Sequence, residues 1–247
     1  VRDLIISDIH ANLEGLEAVV AAARDGYDRV VCCGDLVGYG ADPNAVVDWV
    51  RAHAAVVIRG NHDKVAAGLD SMEAFNPMAR QAAVWTASAL TAENRAWVRG
   101  LERGPVVVDG AYAVVHGSPR DEDEYVVEGP EVRVAMEAAT EELTFFGHTH
   151  VQGGFQLKQR QVIAIGPPFL DESEYTFALS PDYRYLVNPG SAGQPRDGDW
   201  RVGAAIYDAG AKTVRLLRVS YDLETAQRKI REVGLPPLLA DRLARGY

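Results

Sequence analysis

The sequence predicts a layered α/β fold, on three observations. Short apolar segments alternate with helix-period segments through the first third of the chain. Each apolar segment gives way to a polar loop rich in Asp, Asn, His or Gly, the place where open α/β sheets present ligands. Residues 151–219 then read as β-rich. At 247 residues, the chain is long enough to bury a sizeable core, and one domain spanning 1–247 is expected.

The elements follow in order. Leu4–Ser7 reads as a strand, and Asn12 as the cap of a helix with Leu13, Leu16, Val19, Val20 and Ala23 on one side. Val30–Cys33 is the next strand. Asp42-Pro43 supplies an N-cap and an N1 proline for a helix whose Val46, Val47 and Val50 face the core. Ala55–Ile58 is the third strand. Residues 64–101 read as helical, with a break at Asn76-Pro77 and a cap at Thr91. Pro105–Val108 and Ala111–Val115 form a hairpin about Asp109-Gly110. The acidic stretch Asp121–Glu124 reads as a solvated turn, leading to a helix opened by Pro130 and a strand at Leu143–Phe146. Val151–Leu157, Gln161–Ile165, Tyr175–Ala178, Tyr185–Val187, Gly203–Tyr207 and Val214–Val219 are strands. A helix from about Asp222 to Val233 and a short one after Pro236-Pro237 close the chain.

Composition excludes several classes. No apolar run approaches the ~20 residues of a membrane-spanning helix, and the first residues enter an apolar strand with no signal-peptide pattern. The formal charge of −10 argues against non-specific nucleic-acid binding, as does the lack of a basic, aromatic-rich stretch. Cys32 and Cys33, the only cysteines, are adjacent and poorly placed for a disulfide, and read as small buried strand residues. Nothing points to an oxidising compartment, so a cytoplasmic protein is expected.

Five of the six histidines fall in short motifs: Asp8-Ile9-His10, Gly60-Asn61-His62-Asp63, His116-Gly117 and Gly147-His148-Thr149-His150, with Gly34-Asp35 between the first two. Histidine and carboxylate recurring at strand ends read as a metal site built from many parts of the fold. The ligands outnumber what one tetrahedral ion takes, and two adjacent divalent ions fit better. Asp8-x-His10 can aim both side chains at one ion if the loop is extended, and His148 and His150 can likewise reach different ions. Gly60 suggests a tight turn. Singly, each has another reading: Asp8, Asp35 or Asn61 as a helix cap, His116 as a core histidine. His53, at a helix C-terminus, needs no function.

The ordered set resembles the calcineurin-like metallophosphoesterase superfamily, whose pattern runs D-x-H, G-D, G-N-H-(E/D), H, G-H-x-H; Asn188-Pro189-Gly190-Ser191-Ala192-Gly193-Gln194-Pro195-Arg196 looks like the closing segment of its smaller bacterial members. The resemblance implies a two-layer sandwich of mixed sheets flanked by helices. Residues 64–101 and 118–135 are expected to form a cap over the metals that selects the substrate. The resemblance also implies that Asp8, His10, Asp35 and His150 hold one metal, that Asp35 bridges to a second completed by Asn61, His116 and His148, and that His62 is the proton donor, which Asp63 orients. Mn²⁺ is the expected metal on family habit; mixed N/O ligation also suits Fe, Zn or Ni.

The expected activity is hydrolysis of a small phosphodiester or phosphomonoester, by attack of a hydroxide bridging the two metals. Gly34-Asp35-Leu36-Val37-Gly38 lacks the arginine with which protein phosphatases of this superfamily hold phosphate. That departure favours a bacterial phosphodiesterase or small-molecule phosphatase, with Arg196 or Arg120 as a replacement contact. A dinucleoside-polyphosphate hydrolase and a non-catalytic binding scaffold are the alternatives.

Overall fold

A computed structural model describes residues 1–24, 26–166 and 172–247. It begins with the alternation expected: β1 (Arg2–Ile6), α1 (Leu13–Ala23), β2 (Arg29–Cys32), α2 (Pro43–His53) and β3 (Ala54–Val57). The helices α3 (Asn61–Ala66), α4 (Pro77–Ala89) and α5 (Ala92–Arg99) precede the hairpin β4 (Val106–Val108) and β5 (Tyr112–Val114). Next come α6 (Pro130–Ala138), β6 (Leu143–Phe145), β7 (Gly153–Lys158), β8 (Gln161–Ile165), β9 (Glu174–Ala178) and β10 (Arg184–Asn188). The chain ends with β11 (Val202–Asp208), β12 (Thr213–Val219), α7 (Leu223–Glu232) and α8 (Pro237–Leu243).

Among the described residues the strands form two six-stranded sheets, β3-β2-β1-β11-β12-β9 and β4-β5-β6-β10-β7-β8. Both are mixed. β1, β2 and β3 run parallel in the first, and β5, β6 and β10 run parallel in the second. The two-layer sandwich is therefore present, with parallel strand ends in each layer to carry loops.

Alternation along the strands explains the layering. Ile5, Val31 and Cys33 face the second sheet and pack with Tyr112, Val114, Phe145, Val187 and Tyr207. Their neighbours Leu4, Ile6, Val30 and Cys32 face outward onto Leu16, Val19, Val46, Val50 and Leu239 of the flanking helices. A strand buried on both faces must be apolar throughout. On the far side, α6 covers the second sheet with Val132, Ala135 and Met136. Both cysteines are buried, free thiols, and burial pushes both above the ordinary thiol range.

The caps behave as their chemistry dictates at four helices, Asp222 of α7 accepting from Thr225 N–H at 3.0 Å. Asn12, Asn76 and Thr91 each accept from the backbone N–H three residues on. Asp42 does not cap α2; its carboxylate pairs instead with Lys229 of α7, 2.9 Å away. Residues 64–101 are less helical than expected, since residues 67–76 separate α3 from α4. The acidic stretch is a turn with Asp121 and Asp123 exposed, but solvent is not its only partner. Glu122 pairs with Arg59 at 3.1 Å and Lys64 at 3.2 Å, and Asp123 with Lys64 at 2.6 Å. These partners flank the Gly60-Asn61-His62-Asp63 block, distant in sequence but facing the stretch in space.

Phe145 is fully buried between the layers, edge-on to Tyr112 at 5.4 Å. Phe145→Ala should destabilise the protein by about 3–5 kcal/mol, from lost transfer energy and the cavity left behind, read as a lower urea midpoint at unchanged slope.

Candidate metal centre

The loops leaving β1 and β2 run side by side beyond the sheet: Asp8 N–H donates to Gly34 O and His10 N–H to Asp35 O, both at 3.0 Å. The route is coiled, not extended. Asp8, His10, Ala11, Asp35, His148 and His150 all have φ between 48° and 66°. The left-handed region costs most residues about 1–2 kcal/mol, and Asp, Asn and His tolerate it best. The expectation that i and i+2 ligands share a side through an extended backbone is thus corrected: the left-handed turns aim them. Gly60 is corrected too. Its φ of −105° is ordinary, but an added Cβ would lie 2.1 Å from Asp35 Oδ1. Close approach, not a turn, demands glycine there. Asn61 and His62 open α3.

Side chains from both sheets converge. His10 Nε2 is 3.1 Å from His150 Nε2 and 3.5 Å from Asp35 Oδ2. His150 Nε2 is 3.3 Å from Asp8 Oδ1. On the other side, His116 Nε2 is 3.4 Å from Asp35 Oδ2 and 3.2 Å from Asn61 Oδ1. Two groups of ligand atoms result, Asp8/His10/Asp35/His150 and Asp35/His116/His148, each able to hold an ion and sharing Asp35. Except for Asn61, every one of these residues is at most 3% exposed.

The outer nitrogens set the inner ones. His10 Nδ1 faces Val37 O at 3.0 Å, His116 Nδ1 faces Cys33 O at 2.9 Å, and His150 Nδ1 faces Gln194 O at 2.6 Å. A carbonyl only accepts, so each Nδ1 carries the proton and Nε2 offers a lone pair inward. His148 is reversed: Nε2 donates to Asp123 O at 3.1 Å, leaving Nδ1 as its ligand atom. His10 and His150 thus present lone pairs to each other and to carboxylate oxygens. Facing acceptors repel unless a cation lies among them, and a set of imidazole and carboxylate donors fits a divalent transition metal.

Without a cation, protons respond to the same field. Burial opposes charge on His116, but Asp35 overrides it and holds His116 up at about 10. Burial likewise opposes charge on Asp35, yet His116, His62 and His10 keep it well below the usual carboxylate range. Asp8, pushed by burial against the pull of His116, rises to about 6. Burial drives His10 and His150 well below the usual range, and His148 to about 3. One proton on His116 stands where a metal's charge is wanted.

The closing segment braces this arrangement. Asn188 Nδ2 donates to Gly147 O and Thr149 Oγ1, both at 3.0 Å, and Ser191 Oγ to Asp8 O at 2.6 Å. Asp63 does not orient His62. Its carboxylate accepts from the N–H groups of Gly60, Leu36 and Val37 at 3.0–3.2 Å, tying α3 to the loop after β2. The His62 ring lies among Tyr39, His10 and Phe75, with centroids 4.5, 4.9 and 4.5 Å away. Its Nδ1 is buried with no hydrogen-bond partner.

Arg196 and Arg120 are placed differently. Arg196 stands over Tyr39, and its charge acts on Asp8, His10 and His62. Arg120 is half-exposed and paired with Glu124. Tyr39, Phe75 and Tyr125 were not foreseen at the site; Tyr125 packs 3.9 Å from His148. Only Tyr39, between Gly38 and Gly40, had a signal in the sequence.

Comparison with known proteins agrees with this geometry. The profile of the Calcineurin-like phosphoesterase superfamily domain matches residues 2–212. A Methanocaldococcus jannaschii protein described as uncharacterized is 33% identical over 248 residues, which is 98% of this chain and 97% of that one. The crystal structure of a metallophosphoesterase from Sphaerobacter thermophilus superposes with a TM-score of 0.86 at 38% identity, covering 100% of this chain and 99% of that one. A hypothetical protein from Pyrococcus horikoshii OT3 has the same fold, at TM-score 0.75 and 18% identity, covering 100% and 98%.

Two outcomes are expected. Gly60→Ala should weaken metal retention at least tenfold, seen by elemental analysis after dialysis, because its methyl collides with Asp35. Metal must also displace the His116 proton held up to pH of about 10. Uptake should therefore release protons below that pH, and affinity should rise as pH climbs toward it, measured by calorimetry in buffers of different ionisation enthalpy.

Proposed function

The chain belongs to the calcineurin-like phosphoesterase superfamily, and from that premise we propose that it hydrolyses a small phosphodiester or phosphomonoester at a dinuclear centre. The observation that carries the reading is the pair of ligand groups sharing the Asp35 carboxylate. Asp8, His10, Asp35 and His150 would hold one cation, and Asp35, Asn61, His116 and His148 the other, with Mn²⁺ our choice of metal. Divalent ions there supply Lewis acidity: charge for the phosphoryl oxygens and activation of water.

The protein's own groups do the rest. His62 donates its backbone N–H to Asp35 Oδ1 at 2.8 Å, so its position is tied to the shared carboxylate. Burial, against the pull of Asp35, lowers its pKa to about 4. A phosphate anion arriving beside it adds negative charge and raises that value. His62 then takes up a proton as substrate binds and gives it to the leaving oxygen. Arg196 has a buried Nε without a partner, which supports a role in holding the phosphate. Phe75 against His62 and Tyr125 against His148 support reading 64–101 and 118–135 as the elements that border the substrate.

Among the described residues no helix is long and apolar enough to cross a membrane; the two free, buried thiols support our cytoplasmic assignment. With Mn²⁺, the protein should hydrolyse bis-p-nitrophenyl phosphate or p-nitrophenyl phosphate. His62→Ala should lower kcat by about 10²–10⁴-fold while metal content stays at the wild-type level. Undiminished turnover would remove His62 from the mechanism.

A further inference from the structure

The four histidine rings of the candidate centre are not held alike. Val37, Cys33 and Gln194, whose carbonyls grip His10, His116 and His150, are at most 2% exposed. His148 is the exception. Its Nε2–H donates to the carbonyl of Asp123 at 3.1 Å, and Asp123 is an exposed residue of the acidic segment. Two residues on, Tyr125 places its ring 3.9 Å from that of His148. One surface segment, residues 121–125, therefore grips this ring by edge and face.

A surface segment needs an anchor, and α3 supplies it. Lys64 Nζ lies 2.6 Å from Asp123 Oδ2 and 3.2 Å from Glu122 Oε1, with its side chain 7% exposed. Burial opposes charge on Lys64, yet Asp123 and Glu122 hold its pKa above the usual lysine value. Arg59 adds two hydrogen bonds to Glu122, both at 3.1 Å. Gly117, beside His116, leaves the space that the segment fills: an added Cβ would lie 2.7 Å from Glu124 N and 2.8 Å from Glu122 O. The segment thus crosses Gly117, docks on α3 and reaches His148. Asn61, His116 and His148 all belong to, or adjoin, parts of the chain that it touches. Among the described residues it makes no hydrogen bond to Asp8, His10 or His150.

We propose that Lys64 is a positioning residue for one ion of the two. Through Asp123 and Glu122 it fixes the His148 ring, and so sets the affinity of the Asp35/Asn61/His116/His148 site without setting that of the other. This rests on the dinuclear phosphoesterase reading and deepens it, because the two ions become unequal in what holds them. An uncharged side chain at position 64 frees the segment, and the ring with it.

The test strips the full chain of metal and titrates Mn²⁺ into it calorimetrically, without substrate. Wild-type protein should take up two ions, and His148→Ala marks which dissociation constant belongs to the site in question. In Lys64→Met that constant should rise roughly 10–100-fold, the range for partners of ligand side chains, while the other stays unchanged. Electron paramagnetic resonance at two equivalents should show a coupled Mn²⁺ pair giving way to isolated ions. Lys64→Arg, which keeps the charge, should restore the wild-type values. Asp123→Asn breaks the closest ion pair at a half-exposed side chain and keeps the carbonyl. It should shift the same constant, and it decides the matter if Lys64→Met melts early. Loss of a positive charge acting by its field alone would tighten both ions, and general loosening of the fold would weaken both. Either result, or unchanged constants in the folded variants, overturns the positioning role. Turnover of bis-p-nitrophenyl phosphate is scored separately. Two ions without turnover sink the phosphoesterase reading alone, and an active enzyme with unchanged constants in the variants sinks the positioning role alone. A single ion in wild-type protein sinks both the dinuclear centre and the positioning role.

Discussion

Lone pairs pointed at lone pairs are the constraint around which this molecule is built. His10 and His150 hold unprotonated nitrogens 3.1 Å apart, with carboxylate oxygens of Asp8 and Asp35 close by. Left to themselves these groups would swing apart or take up protons. They stay because main-chain carbonyls grip the outer edges of the two rings, at Val37 for His10 and Gln194 for His150, and because the loops are sewn to each other past the ends of the strands. The closing segment adds Asn188 and Ser191 as braces on the loops after β6 and β1. Stability is spent to hold a geometry that only a cation relieves, which is how pre-organised sites are recognised.

Much of this was legible in the sequence because the chemistry comes in blocks. Asp8-Ile9-His10 or Gly147-His148-Thr149-His150 announces itself: strand ends are short, and histidine is nearly absent elsewhere in the chain, where only His53 stands outside the motifs. Their convergence could be expected because each block follows the end of an apolar run, the place where open α/β sheets present ligands; that β1 and β2, and β5 and β6, pair in parallel is what the fold adds. The backbone shape was not legible. Asp, Asn and His suit both a metal and a left-handed turn, so composition cannot say which use governs; here the left-handed residues Asp8, His10, Asp35, His148 and His150 are also those whose ligand atoms cluster. Gly60 shows the same ambiguity, since a glycine needed for proximity and one needed for φ look alike in sequence.

What sequence reasoning missed is long-range pairing of unlike elements. Asp121–Glu124 looked solvated because its partners, Arg59 and Lys64, belong to another motif. In the fold this segment is a strap: its ion pairs anchor it on α3, while the Asp123 carbonyl fixes the ring of His148. Charge that is superficial by composition is structural by position.

The ligand groups do not respect the boundary between the layers. Asp8, His10, Asp35 and Asn61 leave the ends of one sheet, and His116, His148 and His150 the ends of the other. An ion bound between them acts as a rivet through the sandwich. Because the unfolded chain offers no such cluster, every increment of binding energy is also resistance to splaying of the two halves. Withholding such an ion would therefore do more than empty a site: it would remove a link between the two layers at their seam.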